Sequence, residues 1–204
     1  MKKLFSILLC VFTLSIVAQN GKTFPTIIGE TLDGKAISLP IKNNKKTIVA
    51  WVFSRSAEDE LKKWLNPLYS TFMDKPKGKP AFGQTVYDVN FIFIPLIGGL
   101  KKVREDFKAT TDKGFWSYIM DTDKFDMKLQ ADLLGIKDKS IPYIMVLDKN
   151  GKIIDTQSGN YSEDKEEKIE ELLFVDPVTK NKISDSDYMD FYKKQERVAL
   201  RNCG

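Results

Sequence analysis

The 204-residue sequence predicts an α/β fold on a mixed central sheet, with a hairpin before it and an extension after it. Three observations carry this. Apolar runs rich in β-branched and aromatic residues, at Thr47–Phe53, Val89–Leu96 and Tyr143–Asp148, read as buried strands. A helical-period segment lies between the first two, which makes them a parallel pair joined by a crossover helix. After the third, Asn150-Gly151 marks a two-residue turn into Lys152–Thr156, an antiparallel hairpin.

Residues 1–18 read as a secretory signal peptide. Lys2 and Lys3 precede an apolar run from Leu4 to Val17, and Ala18 stands before Gln19-Asn20. The run is too short for a comfortable membrane span, and nothing later is long enough for one. Ile16 is unusual three residues before the cut, so the cleavage point is open. Cys10 as a lipid attachment is the minor reading, because Leu9 stands where a small residue is expected.

Removing residues 1–18 takes two lysines from a net charge of +4, leaving +2. That excess is too small to argue for nucleic acid. Only Cys203 remains, so no intrachain disulfide forms in the mature chain, although export leads to an oxidising compartment. The chain has no histidine. That removes the commonest general base and metal ligand, and every Ser-His or Cys-His pair.

The globular domain is expected over 19–175. Thr26–Ile28 and Ala36–Leu39 flank Asp33-Gly34, a hairpin signal, and Lys42–Lys46 is a basic turn. The strand from Thr47 leads through Ser54-Arg55-Ser56-Ala57 into a helix. Ser56 is its expected N-cap, with Glu58, Asp59 and Glu60 in the first turn. Leu61, Trp64, Leu65, Leu68, Tyr69 and Phe72 mark its buried face, while Pro67 is expected to kink it or end its regular part. Lys75–Gly83 reads as a loop. Helices are expected at Leu100–Phe107 and Met127–Leu134, the latter capped by Gly135; Lys113–Met127 has no clear pattern. Ser162 caps a last acidic helix that buries Ile169, Leu172 and Leu173. Residues 176–204 form a polar tail with a short helix between Asp187 and Leu200.

Taken together, Ala50–Leu65, Ile141-Pro142 before a strand and the Asp148–Ile153 hairpin resemble the thioredoxin-like superfamily, over about Phe24–Phe174. The resemblance implies a three-layer fold and makes Pro142 the cis-proline facing the active-site turn. It also implies a Cys-x-x-Cys at the helix start. Here those positions hold Arg55 and Glu58, with Ser54 or Ser56 as counterparts if the register slips. No register supplies a cysteine, and the thiolate is the nucleophile of this chemistry. In detail the chain is similar to a redox-inactive branch, the ATP-synthase assembly factors of thioredoxin-like fold. The shared features are Phe24-Pro25, Gly29, Leu32–Lys35, Trp64-Leu65-Asn66-Pro67, Asp148–Ile153 and Ser158-Gly159-Asn160. The chain departs from them in carrying an export signal of bacterial character.

The candidate site is therefore a binding surface of Ser54, Arg55, Ser56 and Glu58 facing Ile141, Pro142 and Tyr143. Arg55 and Glu58 suit an anion or a partner's carboxylate, or else form an i,i+3 ion pair with each other. Ile141–Tyr143 suits a peptide edge, or else is a structural turn. Asp121, Asp123 and Asp126 fail the calcium-loop pattern, since Phe125 stands at a ligand position. Lys75–Lys79 reads as a solvated loop. No motif calls for a metal or cofactor. Cys203 is a remote redox candidate without a resolving partner. Three functions follow: a periplasmic or secreted binding protein whose partner is another envelope protein or peptide; a redoxin-type enzyme working through Cys203 or a dithiol partner; and a small-molecule carrier using the turn.

Overall fold

The structure, a computed structural model, describes residues 19–73, 87–96, 101–122 and 127–173. The chain divides into two units, Met1–Leu172 and Leu173–Gly204. The described elements lie in the first, apart from the last residue of the final helix. The expected signal peptide, the 75–83 loop, Asp123, Asp126 and the tail with Cys203 lie outside the described residues.

Strands β1 (Ile27–Thr31) and β2 (Ala36–Leu39) form the expected hairpin, with Gly34 at φ +90° in its turn. Strand β3 (Lys46–Trp51) is the centre of the second sheet, and helix α1 (Glu58–Phe72) follows it. Strand β4 (Val89–Ile94) and helix α2 (Lys101–Thr110) come next, then a 3-10 segment at Lys113–Tyr118. Strand β5 (Met120–Asp121), helix α3 (Met127–Leu134), strands β6 (Tyr143–Leu147) and β7 (Ile153–Ser158), and helix α4 (Glu163–Leu173) complete the order. The sheets run β2-β1-β5 and β4-β3-β6-β7. In the larger one β3 is parallel to β4 and antiparallel to β6, and β7 closes the hairpin.

β3 is a continuous apolar run because both its faces are covered. Val49 and Trp51 belong to one cluster with Ile92, Ile94, Met145 and Leu147. Ile27 and Leu39 of the hairpin and Ala131 and Leu134 of α3 pack on the same side. Alternation puts Ile48, Ala50, Phe91, Phe93, Ile144 and Val146 on the opposite face, where α1 lies against β3 and β4. The predicted α1 stripe is buried at Leu61, Trp64, Leu68 and Phe72, with Leu65 and Tyr69 at its margins. Pro67 does not end the helix, which runs on to Phe72. Burial of Leu68 and Phe72 beyond it offsets the missing backbone hydrogen bond.

Two further expectations are corrected. The β6–β7 connection is not a two-residue turn. Gly151 N–H donates to Asp148 O (3.0 Å) and Asp148 N–H to Lys152 O (2.8 Å), a three-residue loop. Only Gly151 has positive φ (+81°) there, whereas a two-residue primed turn would need Asn150 positive as well. A register irregularity at Val146/Leu147 absorbs the extra residue. Nor is Pro142 a cis-proline: the cis bond of the described chain is Leu39–Pro40. The ordinary trans bond carries Pro142 straight into β6, where its carbonyl accepts the Gly159 N–H at 2.9 Å.

β5 lies in the segment without a sequence pattern, and only its partners explain it. Glu30 and Asp121 are directly opposed across β1 and β5. Two facing carboxylates repel. Arg104 of α2 answers both, with Nη2 at 2.8 Å from Glu30 Oε1 and Nη1 at 3.4 Å from Asp121 Oδ2.

At the sheet margins, Gly21 N–H donates to Ile153 O (2.8 Å) and Ile153 N–H to Lys22 O (2.9 Å) at the start of β7. At its end, Lys165 Nζ donates to the carbonyls of Ser158 (2.9 Å) and Asn160 (2.6 Å). On the far side a parallel bridge joins Phe93 of β4 to Ile119.

Candidate functional site

The site grows from the end of β3. After Trp51 the chain leaves the sheet through buried Val52 and Phe53 and enters a 3-10 turn at Arg55–Ala57. Ser56 does not cap α1. The N-cap is Ala57, in helical conformation and without a side-chain bond to the helix. The serines are engaged elsewhere. Ser54 Oγ donates to Lys139 O at 2.5 Å and lies 2.8 Å from Ser56 Oγ. With the single Ser54 proton on Lys139, the Ser56 hydroxyl donates to Ser54.

The facing loop, 137–142, holds itself in shape. Asp138 Oδ1 accepts the Ser140 N–H (2.8 Å) and hydroxyl (2.5 Å), and these bonds hold its carboxyl below the usual range. Tyr143 Oη donates to Asp138 O at 2.8 Å. The Tyr143 ring stands edge-on to Phe53 at 6.0 Å, and burial pushes its phenol up. Tyr143 and Pro142 are therefore core residues, and Ile141 is the half-buried member of the predicted trio. Ser54–Lys139 and Phe53–Tyr143 join the turn to the loop.

Arg55 and Ser56 are exposed. The expected Arg55–Glu58 ion pair is not formed among the described residues, though the arginine's charge still acts on the carboxylate. Glu58 is half-buried, and its Oε1 is enclosed without a hydrogen-bond partner. Burial raises its carboxyl above the ordinary 4.5, against the pull of Lys62, Arg55 and the Leu96 N–H. A raised acid favours the folded state in its protonated form. That contribution is complete below 4.5 and is lost as pH rises through the folded value. Glu58→Gln is therefore expected to raise Tm at pH 7 by about 2 °C, discounted for partial exposure. The gain should vanish as the pH approaches 4.5. Thermal scans across that range check it, and a lower Tm at pH 7 would contradict it.

The sequence reading missed Lys139, Asp138 and Phe53. Asp138-Lys139-Ser140 carries an Asx-turn signal that could have marked the loop. No sequence signal marks Lys139, which acts through its backbone carbonyl. Among the described residues no group of three or more His, Cys, Asp or Glu could hold a metal ion, and no helix is long and apolar enough to cross a membrane.

No family model matches the chain, and no curated protein does. Solved structures do. The thioredoxin domain of a thiol-disulfide oxidoreductase from Bacteroides vulgatus superposes with a TM-score of 0.55 at 21% identity, covering 76% of this chain and 98% of that one. The C-terminal domain of a Bacteroides thetaiotaomicron protein assigned as a thiol-disulfide oxidoreductase gives 0.52 at 16% identity, covering 76% and 97%. The fold is thioredoxin-like. In this thioredoxin-like chain the strand–turn–helix junction carries Ser54, Arg55, Ser56, Ala57 and Glu58.

Proposed function

We propose that the chain is an exported, bacterial-envelope protein of thioredoxin-like fold that works by binding another protein or peptide, not by thiol chemistry. Its role is that of an assembly factor, chaperone-like protein or scaffold, and its surface is Ser54–Glu58 with the neighbouring Ile141. One observation carries this: the turn offers two hydroxyls, an exposed guanidinium and a half-buried carboxylate, but no thiol, in a chain without histidine. Exposed Arg55 supplies a forked donor suited to a partner's carboxylates. The resemblance of Phe24-Pro25, Trp64-Leu65-Asn66-Pro67 and Ser158-Gly159-Asn160 to the redox-inactive assembly factors supports the role. The signal-peptide pattern that the sequence carries at residues 1–18 supports the location.

The competing reading is a redoxin working through Cys203 or a dithiol partner, and the descriptions of the similar structures favour it. The purified mature protein, assayed for insulin reduction with dithiothreitol, is expected to show no turnover above the blank, and Cys203→Ser should change nothing. Turnover lost in Cys203→Ser would overturn the binding reading. A photoreactive residue at Arg55, activated in the native envelope, is expected to capture one dominant partner. A control label at Ile28, 71% exposed on β1, should not capture it.

A further inference from the structure

We propose that Ser54 is a two-position latch between the turn and the 137–142 loop, closed when its hydroxyl donates to Lys139 and opened when that hydroxyl rotates to donate to Ser56. The inference rests on the reading that partners bind at this turn, and it names how access to that surface is set. Ser54 Oγ has one proton and two acceptors in range, Lys139 O at 2.5 Å and Ser56 Oγ at 2.8 Å. When the proton points to Lys139, Ser56 donates to Ser54 and the two segments are clasped. When it points to Ser56, the Ser54–Lys139 bond is gone but neither hydroxyl is orphaned. Ser56 is exposed and Lys139 half-buried, so water can take over the released carbonyl and the spare proton. Both positions are satisfied, so the difference between them is small, as a population-shifting element needs.

The rest of the loop is tied within itself, to β6, to the segment after β7 and, through the exposed Lys139–Asp132 ion pair at 3.9 Å, to α3. Asp138 holds Ser140, Tyr143 holds the Asp138 carbonyl, and Gly159 of the segment after β7 holds Pro142 O. Ser54 is the side chain that ties this loop to the turn by a hydrogen bond among the described residues. Closed, the latch denies the Lys139 carbonyl to an incoming main chain; open, it offers that carbonyl as an acceptor next to Arg55.

Amide hydrogen exchange on the full mature chain tests this without a partner. In Ser54→Ala the Ser140 and Gly159 amides are expected to exchange about five-fold faster, the worth of one ordinary net hydrogen bond. The Met145 amide, which faces Val49 of β3 at the centre of the sheet, should stay unchanged, which confirms that the variant is folded. Ser56→Ala removes the alternative acceptor and is expected to leave Ser140 and Gly159 at or below the wild-type rate. Unmoved exchange in Ser54→Ala, or faster exchange in Ser56→Ala, overturns the latch. Failure here would leave the Arg55 cross-linking result untouched, and failed cross-linking would leave the exchange result untouched.

Discussion

Replacing Trp64 by alanine is expected to destabilise the protein by about 3–5 kcal/mol, the usual cost of deleting a large aromatic from a core. The side chain is fully buried on α1. Its Nε1 donates to Gly159 O at 2.9 Å. Tyr161 meets the ring edge-on at 5.3 Å and Lys165 stands 6.0 Å above it. One residue thus seats the link between β7 and α4 on α1. Alongside, Glu166 accepts hydroxyls from Thr71 and Tyr161, both at 2.6 Å, and the second bond pushes the Tyr161 phenol up to about 12. Against a typical total of about 5–15 kcal/mol the loss is a large share. Urea unfolding should show the midpoint falling steeply. Trp64→Phe, which keeps a ring but not the donor, should lose less. A Trp64→Ala cost below about 1 kcal/mol would mean that the neighbours collapse into the space.

Gly29→Ala should cost about 2–3 kcal/mol by overpacking. A Cβ at Gly29 would sit 2.3 Å from Asp121 O and 2.7 Å from Met120 Cε. The methionine tip can swing away, but the carbonyl belongs to β5 and moves only if the strand does. The strain therefore parts β5 from β1 and pulls Asp121 away from Arg104. The adjacent Ile28→Ala is the control. Its side chain is 71% exposed, and the change should stay within about 0.5 kcal/mol. Equal costs at the two positions would contradict the close approach.

What could be read from the sequence follows from which signals are local. The β3, β4 and β6 runs, the α1 stripe and the Asp33-Gly34 turn are patterns inside one segment, and the folded chain keeps them. β5 is two residues long, and its existence depends on Glu30 and Thr31 some ninety positions earlier, so no window around it carries the information. The β6–β7 loop was misread by one residue because Asn-Gly serves both a two-residue turn and a bulged three-residue loop. At the site, the residue types of the turn were legible and their partners were not. Ser56 has the composition of a cap, yet a backbone carbonyl 85 positions from Ser54 redirects both hydroxyls. Pro142 was assigned its isomer by resemblance, and nothing in Ile-Pro-Tyr itself fixes one.

The finish of the four-stranded sheet bears on how copies of the chain treat one another. An outer strand with bare N–H and C=O groups is a template for fibril growth, and a lysine ammonium placed against it is a natural deterrent. β7 has its first rung, at Ile153, filled by residues 21–22 and its last carbonyl, that of Ser158, claimed by Lys165, while Ile119 stands beside β4. Copies that meet edge to edge therefore find the two ends of β7 and the Phe93 position of β4 already taken as starting points for strand pairing.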